Sequence, residues 1–303
     1  MSIFSSIREK EKSPGKDYNK KSNTEVRSHK DDADDDDDKD ILMDNVNVRN
    51  DVLIEIGTFL SRRWSNDTDV TVSISRENRL STNIEKKSIT LPKLSFFYGN
   101  TFQKYRQWRA LLWYESMRIK HSFKIYDTDI VFGYIFNTLE TKRVEILGLR
   151  EWKGMINEII YYEGLSWNNK PLLNSLHGKS KIIEGFSQFF LTGFVKGELY
   201  GGEIERVTNA AEYAKNVIEE HVKNYKNKGF DSPDRVKDDK EQKELENETR
   251  KVIKILQLDS LMSIPTLPLV MPKSKVGLSA SKEEILNQIE RIVKLKTKEI
   301  EIE

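Results

Sequence analysis

The sequence predicts a mainly α-helical protein, a helical bundle with a small β-hairpin inserted ahead of a long central helix. Three observations carry this. Apolar residues recur every three or four positions through successive windows between residues 46 and 225, the spacing that lines one face of a helix. Only two short segments, 70–74 and 88–91, show the alternation and β-branched content of strands. Strongly polar or Pro-containing stretches flank this region on both sides.

The elements are predicted in order as follows. Residues 1–44 are charged and polar and include the run Asp34 to Asp38. They hold too little apolar area to offset chain entropy and read as a disordered acidic tail. Residues 46–64 carry Val48, Val52, Ile56, Phe59 and Leu60 at helical spacing. The segments Val70-Thr71-Val72-Ser73-Ile74 and Ser88-Ile89-Thr90-Leu91 read as paired strands joined by a polar connection, the second stopped by Pro92. Gly99-Asn100 then opens a helix over 102–123, striped by Trp108, Leu111, Leu112, Glu115 and Ile119. Further helices are predicted over 129–147, 151–162, 179–194 and 204–225. The Gly-rich stretch 197–202 lacks the Lys-Ser/Thr ending of a phosphate loop and reads as a turn. Residues 226–248 form a charged linker or an exposed helix start, and helical patterning resumes over 244–258. The apolar segment 261–278 contains Pro265, Pro268 and Pro272 and reads as an extended arm; a last amphipathic helix spans 282–295. The domain boundaries are thus a tail over 1–44, a helical domain with its hairpin over 45–225, a linker over 226–248 and a carboxy-terminal region over 249–303.

Composition removes several function classes. With 50 basic and 49 acidic side chains the net charge is +1, which gives no global attraction to nucleic acid or a membrane surface. The absence of cysteine excludes disulfides and thiolate metal sites, and four scattered histidines (His29, His121, His177, His221) supply little for an imidazole site. The opening residues contain no apolar run of a secretory signal, and no window is apolar enough to span a bilayer, so a cytoplasmic location is expected. High Lys, Glu and Ile content without Cys is a compositional trait of thermophiles.

The chemistry-bearing residues concentrate in two neighbouring helices. The first reads Trp113-Tyr114-Glu115-Ser116-Met117-Arg118, the second Asn137-Thr138-Leu139-Glu140-Thr141-Lys142-Arg143-Val144-Glu145. Residues 70–145 resemble the metallopeptidase-like amino-terminal helical domains of von Willebrand factor A proteins. Among these are the cobaltochelatase accessory subunit and the nitric-oxide-reductase activation protein, partners of MoxR-type AAA+ ATPases. There the first helix often reads His-Glu-x-x-His and the second Asn-x-Leu-Glu-Asp-x-Arg-x-Glu. The matches are Glu115, Asn137, Leu139, Glu140, Arg143 and Glu145; the departures are Tyr114, Arg118 and Thr141. The resemblance implies a zincin-like core without its zinc motif, because a phenol is a poor zinc ligand and a guanidinium has no lone pair to give.

No metal and no cofactor is therefore expected, and Glu115, Arg118, Asn137, Glu140, Arg143 and Glu145 mark a vestigial, structural site. The expected arrangement of Glu115, Arg118, Glu140 and Arg143 is a salt-bridge network between two packed helices. The expected function is that of a non-catalytic adaptor for an AAA+ ATPase or A-domain protein. It would dock through the arm at Leu261, Ile264, Leu267, Leu269 and Val270. Two alternatives stand beside it. One is a divergent metallopeptidase using Glu115, Glu140 and His121. The other is a nucleic-acid-binding protein using the basic and aromatic helix from Lys104 to Lys124, with Tyr105, Arg106, Trp108 and Arg109.

Overall fold

The computed structural model of the chain describes residues 49–123, 130–168, 170–227, 239–258, 294 and 296–298. The acidic tail, the arm with its five docking residues and most of the final predicted helix lie outside the described residues. Helix α1 (Asn50–Ser65) stops at Asn66, whose left-handed conformation lets its backbone N–H reach the Arg62 carbonyl, a conformation asparagine tolerates. The chain then enters a three-stranded sheet, β1 (Thr71–Ile74), β2 (Ser81–Asn83) and β3 (Ser88–Leu91). The two predicted strands do pair, but in parallel, in the register Val72 to Ile89. The hairpin is made instead by β2 and β3, antiparallel, and the sheet order is β1-β3-β2. Ile89 and Leu91 point into the core and are fully buried, as the alternation of a one-faced sheet requires.

Helix α2 (Thr101–His121) opens with a capping box: the Asn100 side chain accepts from the Gln103 N–H, and the Gln103 side chain accepts from the Asn100 N–H. Gly99 makes this close entry possible. Its φ is +91°, and a Cβ there would lie 1.9 Å from the Gln103 side-chain oxygen. Helix α3 (Ile130–Glu151) packs along α2 through Gly148, where a Cβ would lie 2.7 Å from Met117 Cγ and 2.8 Å from Trp113 Cζ2. The helix predicted over 151–162 is displaced: Trp152 leaves helical geometry at φ −122° and ψ 58°, and α4 runs Ile156–Asn168. Helix α5 (Gly178–Thr192) ends on Gly193 in the left-handed region. Helices α6 (Gly202–Asn227) and α7 (Asp239–Ile255) complete the described bundle.

Two apolar cores result. One joins α1, the sheet, α2 and α4 around Leu53, Ile89, Trp108, Trp113, Met117 and Ile159. The other joins α3, α5, α6 and α7 around Phe132, Phe136, Leu139, Phe186, Ala214 and Leu256. Each fully buried Leu, Ile or Phe contributes about 1.5–3 kcal/mol. Helix α3 serves both, giving Val144 and Leu149 to the first core and Leu139, Ile146 and Leu147 to the second. A helix placed between two cores cannot direct every polar side chain to water, so those it carries must find internal partners. Among the described residues, no helix is long and apolar enough to cross a membrane.

Candidate functional site

The motif residues of α2 and α3 find their internal partners in separate clusters. The tightest is Glu140 with Arg143. Arg143 Nε donates to Glu140 Oε2 at 2.7 Å and Nη2 to Oε1 at 2.8 Å, a bidentate pair one turn apart on the same helix. Nη2 also donates to the His121 carbonyl at 2.5 Å, Glu140 Oε1 accepts the Phe123 N–H at 2.9 Å, and the guanidinium lies 4.3 Å from the Phe123 ring centre. Both side chains are buried. The pair therefore fastens α3 to the end of α2 and satisfies a helix terminus at the same time.

Glu115 and Arg118 form a looser group. Thr82 on β2 donates to Glu115 Oε2 at 2.7 Å, while Arg118 Nε stands 3.7 Å from Glu115 Oε1. Arg118 reaches α3 through Nη2, which donates to Thr141 Oγ1 at 2.8 Å, and Thr141 donates to the Asn137 carbonyl at 2.6 Å. Asn137 itself is exposed. The single network expected of Glu115, Arg118, Glu140 and Arg143 is thus divided: each arginine pairs with the glutamate one turn before it. Across the helices the hydrogen bonds reach Thr141, the His121 carbonyl and the Phe123 N–H.

The third cluster brings three helices together. Glu145 on α3 and Glu163 on α4 converge on the Lys296 ammonium, and Tyr114 on α2 bridges the two carboxylates. Lys296 Nζ donates to Glu145 Oε1 and lies 3.2 and 3.1 Å from the two oxygens of Glu163. The Tyr114 hydroxyl contacts Glu145 Oε2 and is 2.8 Å from Glu163 Oε1. Lys142 Nζ stands 3.7 Å from Glu145 Oε1 and donates to the Leu191 carbonyl at 3.0 Å.

Burial alone would push both carboxyls up. For Glu145 this is outweighed by Lys296, Lys142 and the hydrogen bonds from Lys296 and Tyr114, which hold it down to about 2. For Glu163 burial prevails, with the charge of Glu145 acting against Lys296, and its carboxyl rises to about 7 although a fifth of its side chain still meets solvent. A phenol has one proton and can donate to only one of two carboxylates at a time, so a proton held on Glu163 relieves the second contact. Burial, then the two carboxylates, raise the Tyr114 phenol well above its ordinary value.

His121 makes a fourth group: Nδ1 is 2.6 Å from the Tyr225 hydroxyl, and Nε2 is 3.3 Å from Glu151 Oε1, whose other oxygen accepts from Lys120. Burial lowers its pKa to about 4, against the pull of Glu151.

The metallopeptidase alternative needs Glu115, Glu140 and His121 around one ion. Glu115 is engaged by Thr82, Glu140 by Arg143 and the Phe123 N–H, and His121 by Tyr225. Among the described residues, no group of three or more His, Asp or Glu side chains is arranged to hold a metal. On the basic helix, Arg106 and Arg109 both bind the Glu158 carboxylate, at 2.8 and 2.7 Å, and Trp108 is in the core rather than available to stack on a base.

Two surface grooves stand out among the described residues. One, about 220 Å³, lies among α3, α5 and α6 and is lined by Ile146, Phe189, Phe190, Ala211 and Ile218. The other, about 460 Å³, borders α1 at Ile56, Phe59, Leu60 and Trp64. Neither is lined by Glu115, Glu140, Glu145 or Glu163.

Glu163, Lys296 and Tyr225 carry no local sequence signal. Lys296 lies 151 positions from Glu145 and Tyr225 lies 104 from His121. Comparison with family models, with curated proteins and with solved structures finds no match to this chain.

Proposed function

We propose that the chain is a non-catalytic interaction domain, an adaptor working with an AAA+ ATPase or a von Willebrand factor A partner in assembling a complex or a metalloenzyme. The observation that supports this is the state of Tyr114, at the first ligand position of the peptidase-like motif. Its hydroxyl is spent between Glu145 and Glu163, in a buried cluster neutralised by lysine. Arg118, at the second ligand position, is turned to Thr141. A hydrolytic centre needs a reactive group in reach of substrate and a place for an activated water. On this reading the chain has traded both for helix-to-helix ties, and its activity lies in what it binds.

Partner docking is assigned on the sequence alone to Leu261, Ile264, Leu267, Leu269 and Val270, in an apolar stretch interrupted by Pro265 and Pro268. The test mixes the purified full-length protein with purified MoxR-type ATPases and A-domain proteins and measures co-elution together with the ATPase rate. Co-elution lost on Leu267→Asp with Val270→Asp is the expected result. Metal-dependent peptide hydrolysis abolished by Glu115→Gln would overturn it.

A further inference from the structure

The cluster of Tyr114, Glu145, Glu163 and Lys296 has a geometry that specifies its cation. The acceptors come from two carboxylates on two different helices and meet at one point: Glu145 Oε1, and Glu163 at 3.1 and 3.2 Å. A guanidinium prefers both oxygens of a single carboxylate in its plane, as Arg143 takes Glu140. Oxygens converging on one point from two carboxylates of different helices suit a compact charge with three tetrahedral donors, which is a primary ammonium. The phenol of Tyr114 forms part of the wall and orients both carboxylates. Lys296 is 1% exposed, whereas Lys294, Thr297 and Lys298 are exposed, so among the described residues of this segment Lys296 is the side chain inserted into the core.

We propose that Glu145, Glu163 and Tyr114 form a buried receptor for a primary alkylammonium group, filled from within by Lys296, which latches the chain near its carboxy-terminal end to helices α2, α3 and α4. The receptor is a property of the pocket, not of the lysine: with Lys296 shortened, a free alkylammonium of similar size takes its place. This stands apart from the adaptor reading, since it concerns how the chain is closed and not what it docks to.

Two measurements test it. In the folded wild-type protein, brief acylation read by mass spectrometry should modify Lys296 roughly tenfold or more slowly than Lys294 and Lys298, the protection being set by local opening. In Glu163→Gln, which weakens the receptor but keeps the lysine, Lys296 should become faster to modify. In Lys296→Ala, n-butylammonium at about 100 mM should raise the unfolding temperature by about 2–4 °C by mass action. Tetramethylammonium, which has no N–H donors, should not, and n-butylammonium should have no such effect on Lys296→Ala combined with Glu163→Gln. Equal labelling of the three lysines, or equal response to the two ammonium salts, overturns the proposal. Should Lys296→Ala fail to fold, the labelling of wild type and Glu163→Gln decides alone.

Discussion

Glu140 and Glu145 stand on the same helix, both buried between the same two cores, and the chain neutralises them in opposite ways. Glu140 is closed locally, by the arginine one turn later and by backbone groups where α2 ends. Glu145 is closed mainly from a distance, by Lys296 and by the Tyr114 hydroxyl of α2, with Lys142 one turn before it standing 3.7 Å away. The first arrangement forms whenever α3 docks beside α2. The second is complete only when a remote part of the chain has arrived, which makes it the more conditional element of the fold. A buried pair adds little net stability over apolar packing, but removing one partner leaves a charge without compensation. The two clusters should therefore respond differently to the same kind of damage.

The largest effect is expected at the local pair. Glu140→Ala strands the Arg143 guanidinium, 2% exposed, in the core and should cost about 3–5 kcal/mol in denaturant unfolding. Lys296→Ala should cost less, about 2–3 kcal/mol at pH 6, because below about pH 7 Glu163 can relieve the remaining repulsion by holding a proton. The sign follows from linkage: a carboxyl raised above its unfolded value stabilises at low pH and loses that contribution as pH rises through its folded value. The Lys296→Ala defect should therefore grow between pH 5.5 and about 8, whereas the Glu140→Ala defect should not show that rise. A cost at Lys296 that ignores pH would break the distinction.

Gly148→Ala tests the seam itself. A methyl group would press on Met117 and Trp113, and a loss of about 1–3 kcal/mol is expected. The smallest effect concerns His121, whose imidazole faces Tyr225, Glu151, Lys120 and Arg143. Its pKa is depressed to about 4, so the folded state favours the neutral ring, and that contribution is lost as pH falls from about 6.5 toward 4. Between pH 6.5 and 5.5 the wild type should lose about 1 kcal/mol relative to His121→Gln.

What was legible in the sequence follows from the range of each interaction. Helix α2 was legible because Gly99-Asn100 marks its start and its stripe of Trp108, Leu111, Leu112 and Ile119 repeats locally. The Glu140 and Arg143 spacing of one turn was equally readable. Strand β2 was not: Ser81-Thr82-Asn83 has no apolar alternation and becomes a strand because the edge of β3 offers it backbone partners. The parallel pairing of β1 with β3 was hidden for the same reason, since alternation marks a face and not a direction. The start of α4 depends on the non-helical turn at Trp152, which has neither Gly nor Pro to announce it. The seam clusters were legible as residues and not as pairings, since Glu163 and Lys296 join through packing between distant segments.

The central claim is that the motif-bearing seam is closed by the chain's own side chains. It is tested most directly by a double-mutant cycle between Glu145→Gln and Lys296→Met, measured by denaturant unfolding at pH 7.5. A coupling of about 2–3 kcal/mol is predicted, the upper range for residues in direct contact. Additive losses, with coupling within about 0.5 kcal/mol of zero, would contradict it.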